Sequence, residues 1–119
     1  MGSGAGIEPR AAMGGYAMTK EAIRTLSRVA AIEWGRYGVR VASICPLALS
    51  PGFDEFAGSV AHGDRSDEME QSVVAAVPLG RFGDPELDVG RAVVYLASAD
   101  GRYITGSTLM VDGGYNFLR

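Results

Sequence analysis

The sequence is short of cysteine, histidine and tryptophan, with one of each in 119 residues. A single thiol, Cys45, excludes an intrachain disulfide. With His62 as the one imidazole, no metal site is expected. Lys and Arg total 11 against 14 acids, for a formal charge of −3. The basic residues form no cluster, so no nucleic-acid partner and no anionic membrane surface is expected. No apolar run reaches the roughly 20 residues of a membrane span. The first residues lack the basic-then-apolar pattern of a signal peptide, and the cytoplasm is the expected compartment. The chain has no internal repeat and no segment of low complexity.

What is present is ordinary for a small globular domain: 47% apolar and 21% charged residues. Glycine is abundant, 17 residues spread along the chain, which predicts many tight turns. Residues 1–15 read as loop. Gly2-Ser3-Gly4-Ala5-Gly6 is glycine-rich, yet a dinucleotide-binding loop needs a strand before it and a helix directly after it. Here Pro9 and Gly14-Gly15 follow instead. The serine-hydrolase elbow Gly-x-Ser-x-Gly also fails, with Met at its first position and Ala at its last.

From 16 to about 36 the pattern is helical. Ala22, Ile23, Leu26, Val29, Ala30 and Trp34 recur at three- and four-residue spacing, which predicts a broad apolar face. Gly35 and Gly38 supply the stop. Residues 39–45, rich in β-branched side chains and bounded by Gly38 and Pro46, read as a strand. Residues 46–67 read as a long irregular loop holding Phe53, Phe56, Val60 and His62. Two helices follow within 68–99, one over 68–77 and one starting at Pro85 and closed by Gly101. Residues 107–111 read as a second strand, Asp112-Gly113-Gly114 as a turn, and the tail carries Phe117 and Leu118. Two strands joined by a helical crossover would be parallel. A two-stranded sheet is marginal without extra packing, and an unpaired apolar edge at 39–45 invites association. The sequence therefore reads as part of a larger α/β domain.

The chemistry-bearing motif is Tyr16-Ala17-Met18-Thr19-Lys20. Residues four apart share one helix face, so a phenol and an ammonium can reach the same space. A neighbouring cation favours the phenolate, which makes the pair a device for moving a proton to or from an oxygen. An isolated Tyr-x-x-x-Lys has a plainer reading, a packed tyrosine and a solvated lysine.

The order of motifs separates the two. Ser3, Tyr16 and Lys20 are followed by Val39-Arg40-Val41 leading into Pro46, then Pro78-Leu79-Gly80-Arg81-Phe82-Gly83. Leu96-Ala97-Ser98, Ile104-Thr105-Gly106 and Val111-Asp112-Gly113-Gly114 complete the set. Over essentially its whole length the chain resembles the C-terminal half of a classical short-chain dehydrogenase/reductase. The resemblance implies an α/β fold, the last two strands and their helices from a Rossmann-like doubly wound parallel sheet, with the N-terminal nucleotide-binding half absent.

It also implies hydride transfer between NAD or NADP and a carbonyl or alcohol. Tyr16 would exchange the proton at the substrate oxygen. Lys20 would favour its phenolate and hydrogen-bond the nicotinamide ribose. Ser3 would hold and polarise the substrate oxygen. Pro46, Leu47, Ala48 and Ser50 match the loop that meets the nicotinamide, and the rest of that loop matches the lid that shapes substrate choice. The implied full-length protein is a homo-oligomer, dimer or tetramer, and Met1 is either internal to it or the start of a truncated gene.

The sequence departs from the family in two places. Leu47 stands where Gly is common, and Ala42 where Asn is common. A Gly there lets backbone approach the cofactor, so with Leu47 a close approach needs another path. The 119 residues alone are expected to turn over negligibly, because the cofactor's adenosine and pyrophosphate sit on the other half in this family. The alternative is a non-catalytic remnant that acts by subunit-type association.

Overall fold

Two short parallel strands organise the described residues, which are 1–49 and 66–116 of a computed structural model. Strand β1 is Ser43–Pro46 and β2 is Thr108–Val111. Their register pairs Ser43 with Thr108, Ile44 with Leu109, Cys45 with Met110 and Pro46 with Val111. The helices are α1 (Gly4–Ile7), α2 (Gly14–Trp34), α3 (Ser66–Ala76) and α4 (Arg91–Ala97). A π-helical turn over Pro85–Gly90 leads into α4. Expectations placed on Ser50, Phe53, Phe56, Val60, His62, Phe117 and Leu118 lie outside the described residues.

The fold is α/β with parallel strands, as the sequence indicates, but several boundaries differ. The segment expected as loop contains α1, which Ser3 caps by accepting the Ala5 N–H at 3.3 Å. Glycine is a poor helix former, so propensity does not explain α1. Proximity does. A Cβ on Gly4 would lie 2.3 Å from Asn116 Nδ2, and one on Gly6 would lie 3.1 Å from the Glu21 backbone N.

The first strand begins at Ser43 and not at Val39. Residues 41 and 42 precede the ladder, and Val41 N donates to the Thr105 hydroxyl at 3.1 Å. The Val41 carbonyl accepts the Gly106 N–H at 2.7 Å. Gly106 has φ +68, a left-handed turn residue, so the regular ladder starts only after it. On its other side β1 is touched by the chain start, where Gly2 N donates to the Ile44 carbonyl at 2.9 Å. Strand β1 is thus flanked twice, and Cys45 at its centre has no exposed surface.

Helix α2 ends through a 3-10 turn (Gly35–Tyr37) into Gly38 at φ +74, the left-handed stop that glycine provides. Its buried face is made of small side chains: Ala17, Ala30 and Ala31. The stripe expected as its apolar face is largely open. Leu26 is 68% exposed, Trp34 48%, Val29 43% and Ile23 38%. Two strands offer too little surface to cover a 21-residue helix. No helix of the described residues is long and apolar enough to cross a membrane.

Arg40 holds the far end of α4. Its guanidinium donates to the carbonyls of Leu96 at 2.6 Å and Gly101 at 3.0 Å, with Ala97 and Ser98 at 3.3 and 3.4 Å. Those carbonyls belong to the helix's last turn and the 3-10 turn after it, where helix ends leave carbonyls short of intrahelical donors; that of Gly101 also accepts the Ile104 N–H at 2.9 Å.

The π-helical turn starts with Asp84, whose carboxylate accepts the N–H groups of Glu86 at 2.8 Å and Leu87 at 2.7 Å. Arg81 then chelates Asp88 at 2.6 and 3.2 Å. The Arg81 hydrogen bond, and after it the Asp84 N–H, hold the Asp88 carboxyl down to about 2. A depressed folded value stabilises the fold above the unfolded carboxylate range. That contribution is therefore expected to be complete above about pH 4 and to vanish as the pH falls through about 2. Carboxyl NMR titration of Asp88 checks the value, and Asp88→Asn should erase this part of the acid dependence. An ordinary titration near 4 would refute the contact.

Burial pushes the Cys45 thiol up, outweighing the nearby Arg24 cation. Thiolate is the reactive form, so Cys45 should resist alkylation at neutral pH until the protein unfolds. Stoichiometric labelling of the folded protein, read by intact mass, would contradict this packing.

Candidate active site

Tyr16 and Lys20 sit on consecutive turns at the start of α2. The ammonium of Lys20 lies 5.4 Å from the Tyr16 ring centroid, within cation–π range. This places both groups on one side of the helix, as their spacing requires. Tyr16 is 45% exposed, so its phenol is open to a ligand. The turn beneath is stiffened by the Thr19 hydroxyl, which donates to the Tyr16 carbonyl at 2.8 Å. One turn further on, Glu21 pairs with Arg24 at 2.6 Å. That bond holds the Glu21 carboxyl below its usual range and lifts the Arg24 guanidinium.

Ser3 reaches the same region through α1. Gly2 is pinned to Ile44 of β1, Gly6 N donates to the Ser3 carbonyl at 3.1 Å, and Gly6 lies against the backbone of Ala17, Lys20 and Glu21. The Ser3 oxygen accepts the Ala5 N–H. A hydroxyl carries one donor and two acceptor positions, so this cap fixes the side chain and leaves its proton to donate. Ser3 is thus carried at the start of α1, which packs on the first turns of α2, where Tyr16 and Lys20 stand.

Pro46, Leu47 and Ala48 continue from the carboxyl end of β1, where ligands bind in open α/β sheets. Leu47 N donates to the Val111 carbonyl and its own carbonyl accepts the Gly83 N–H, both at 3.0 Å. Ala48 and Gly83 form a further parallel bridge. The Leu47 N–H is thereby committed to the sheet and cannot donate to a ligand. This gives a physical meaning to the departure from the common Gly. A Cβ on Gly83 would sit 3.1 Å from the Leu47 oxygen, so the close approach takes place on that side. Ser50 lies outside the described residues.

Two neighbours of the site were not among the site residues expected from the sequence, although Asp112 was read there as part of a turn. Asp112 and Asn116 are 6% and 8% exposed. The Asp112 carboxylate accepts Gly114 N at 3.1 Å, Asn116 N at 2.9 Å and Asn116 Nδ2 at 3.0 Å. The Asn116 carboxamide presses on Gly4, next to Ser3. An Asp two residues before a turn glycine is an Asx-turn signal, so Asp112 was readable. Asn116 carried no signal. The second neighbour is the Arg10–Tyr115 pair, in which the guanidinium lies 4.4 Å from the ring centroid and donates to the phenol oxygen.

Comparison with known proteins identifies the family. A family model described as Enoyl-(Acyl carrier protein) reductase (adh_short_C2) matches residues 1–116. A 12alpha-hydroxysteroid dehydrogenase of a Clostridium species is 45% identical over 94% of this chain and 41% of its own length. The 2-(S)-hydroxypropyl-CoM dehydrogenase 3 of Xanthobacter autotrophicus is 37% identical over 95% of this chain and 43% of its own length. Among solved structures, sorbitol-6-phosphate 2-dehydrogenase SrlD from Erwinia amylovora superposes with a TM-score of 0.87 at 28% identity. It covers 98% of this chain and 47% of that one. The chain thus spans less than half the length of the relatives it matches. Its motifs, its parallel strand pair and these matches all place the chain in the short-chain dehydrogenase/reductase family, over the C-terminal part of that fold.

Proposed function

We propose that this chain is the catalytic part of an NAD(P)-dependent oxidoreductase acting on a secondary alcohol or its ketone, with Tyr16 as acid/base. The observation that carries the reading is the Tyr16–Lys20 pair, with the ammonium 5.4 Å from the ring centroid at an exposed position. A phenol, a cation and a hydroxyl with a free proton suit the nicotinamide-ribose end of the cofactor and the substrate oxygen beside it. The cofactor, when bound, supplies or accepts the hydride. Ser3 donates to the substrate oxygen and orients it. Tyr16 gives that oxygen a proton during reduction and removes it during oxidation. Lys20 stabilises the charge left on the phenol and donates to ribose hydroxyls. Pro46, Leu47 and Ala48 form the wall against the nicotinamide.

The similarity to a hydroxysteroid dehydrogenase makes a hydroxysteroid the first substrate to try. The open face of α2 supports subunit association in the intact protein. Met18, Ala22, Leu26 and Val29 line a shallow apolar concavity there.

The test takes the natural gene product, sized by intact mass, and follows nicotinamide absorbance with a hydroxysteroid and with simple secondary alcohols. Turnover that needs Tyr16 supports the reading. Cofactor binding with no turnover of any alcohol or ketone would favour the alternative, a remnant that works by association. The 34% identity to a protein named inactive 2-(S)-hydroxypropyl-CoM dehydrogenase 2 keeps that second reading in view.

A further inference from the structure

We infer that Asn116 is a positioning residue for Ser3: its carboxamide, held by Asp112, fixes the first turn of α1 and with it the place of the Ser3 hydroxyl. The inference rests on the oxidoreductase reading above, in which Ser3 orients the substrate oxygen.

Helix α1 cannot fix Ser3 by itself. It is four residues long and two of them are glycine, so it has neither the length nor the composition to hold a helical turn unaided. Ser3 is its N-cap, and the Ser3 oxygen accepts the N–H of Ala5 at 3.3 Å. The hydroxyl is thereby tied to α1 and goes where α1 goes. Contacts outside α1 decide where that is. Gly2 N donates to the Ile44 carbonyl at 2.9 Å and anchors the residue before Ser3 to β1. Gly6 lies against α2, where a Cβ would stand 3.1 to 3.4 Å from the backbone of Glu21, Ala17 and Lys20. Asn116 closes the remaining side, on Gly4, the residue directly after Ser3. A Cβ on Gly4 would stand 2.3, 2.7 and 3.1 Å from Nδ2, Cγ and Oδ1 of Asn116.

The first two contacts are made by backbone, but the third is a side chain whose aim is set. One carboxylate oxygen of Asp112 accepts both the Asn116 N–H at 2.9 Å and Asn116 Nδ2 at 3.0 Å. Both residues are buried, where such bonds are costly to break. Asp112 directly follows Val111, the last residue of β2. A chain of contacts thus runs from β2 through Asp112 and Asn116 to Gly4, with Ser3 at its end.

The test uses the natural gene product, its nicotinamide cofactor, and a hydroxysteroid or simple secondary alcohol that it turns over. Asn116→Ala should speed amide exchange at Gly6 and Glu8, which donate to the Ser3 and Gly4 carbonyls. The buried Ala30 and Ala31 of α2 should stay protected. In the same variant kcat should fall about 10- to 100-fold, the scale of a small misplacement, with cofactor binding within about twofold of wild type. In a Ser3→Ala background the substitution should slow the reaction no further, because the group it positions is gone. Single turnovers with enzyme in excess keep these slow variants measurable. Losses that multiply with those of Ser3→Ala would mean that Asn116 acts on the fold at large and would overturn the inference. Unchanged exchange at Gly6 and Glu8 would overturn it too. If Asn116→Ala does not fold, Gly4→Ala, which pushes on the same carboxamide from α1, is read by the same cycle. Wild-type turnover that Asn116→Ala leaves intact sinks this inference and spares the oxidoreductase reading. No wild-type turnover of any alcohol or ketone sinks both.

Discussion

Tyr16→Phe in the intact protein is expected to lower kcat by about 10²- to 10⁴-fold, the range that a positioned acid/base contributes. Cofactor binding should stay close to wild type. The substitution removes one oxygen from an exposed ring and leaves the hydrogen bond from Thr19 in place, since that bond goes to the Tyr16 carbonyl. The ring over which Lys20 sits also remains. Stability should therefore be unchanged, and the loss should appear in turnover alone. Steady-state nicotinamide absorbance combined with cofactor fluorescence titration separates these quantities. A variant that bound cofactor normally and kept wild-type kcat would remove Tyr16 from the chemistry. Lys20→Met should lower kcat as well and, unlike Tyr16→Phe, weaken cofactor binding.

Asp112→Ala should produce the largest loss of stability, about 2–4 kcal/mol, because it strands buried donors. Asp112 receives two backbone N–H groups and the Asn116 carboxamide, and both residues are buried. Asn116→Ala should cost less, about 1 kcal/mol, since it removes one donor and leaves the backbone donors in place. Gly4→Ala forces a Cβ to 2.3 Å from Asn116 Nδ2, an overpacking expected to cost about 1–3 kcal/mol. The double variant Gly4→Ala/Asn116→Ala should be milder than the sum, because the clash and its partner vanish together. Denaturant midpoints of the intact protein measure all four. Simple additivity in the double variant would mean that Gly4 and Asn116 do not touch.

The sequence carried much of this architecture for reasons that can be stated residue by residue. Helix α2 was legible because its periodicity spans many turns and Gly38 stops it. The first strand was legible because β-branched residues lie between Gly38 and Pro46, and the second because an apolar run precedes the Asp112-Gly113-Gly114 turn. Short helix α1 was not legible, since Gly4 and Gly6 read as flexibility. They are there to let α1 approach Asn116 and α2, a tertiary requirement that leaves no local pattern. The π-helical turn was hidden for another reason. A local widening of the helix shifts the register of apolar residues without changing composition. The face of α2 was legible as apolar but not as open, because exposure depends on how much sheet is available to cover it. Tyr16 and Lys20 could be found from spacing alone. Arg10 and Tyr115 could not, for they meet across 105 residues.

The double flanking of β1 has a consequence for biosynthesis. Its regular partner arrives late: Val41 finds Thr105 across 64 residues and Arg40 finds Leu96 across 56. Contacts of such separation close slowly. A ribosome therefore releases the apolar segment around Ile44 and Cys45 well before β2 exists to pair with it. Through that interval β1 presents an unpaired edge, the kind of surface on which nascent chains aggregate and chaperones act. Maturation yield should thus depend on how quickly translation proceeds from Pro46 to Val111, the last residue pair of the β1–β2 register.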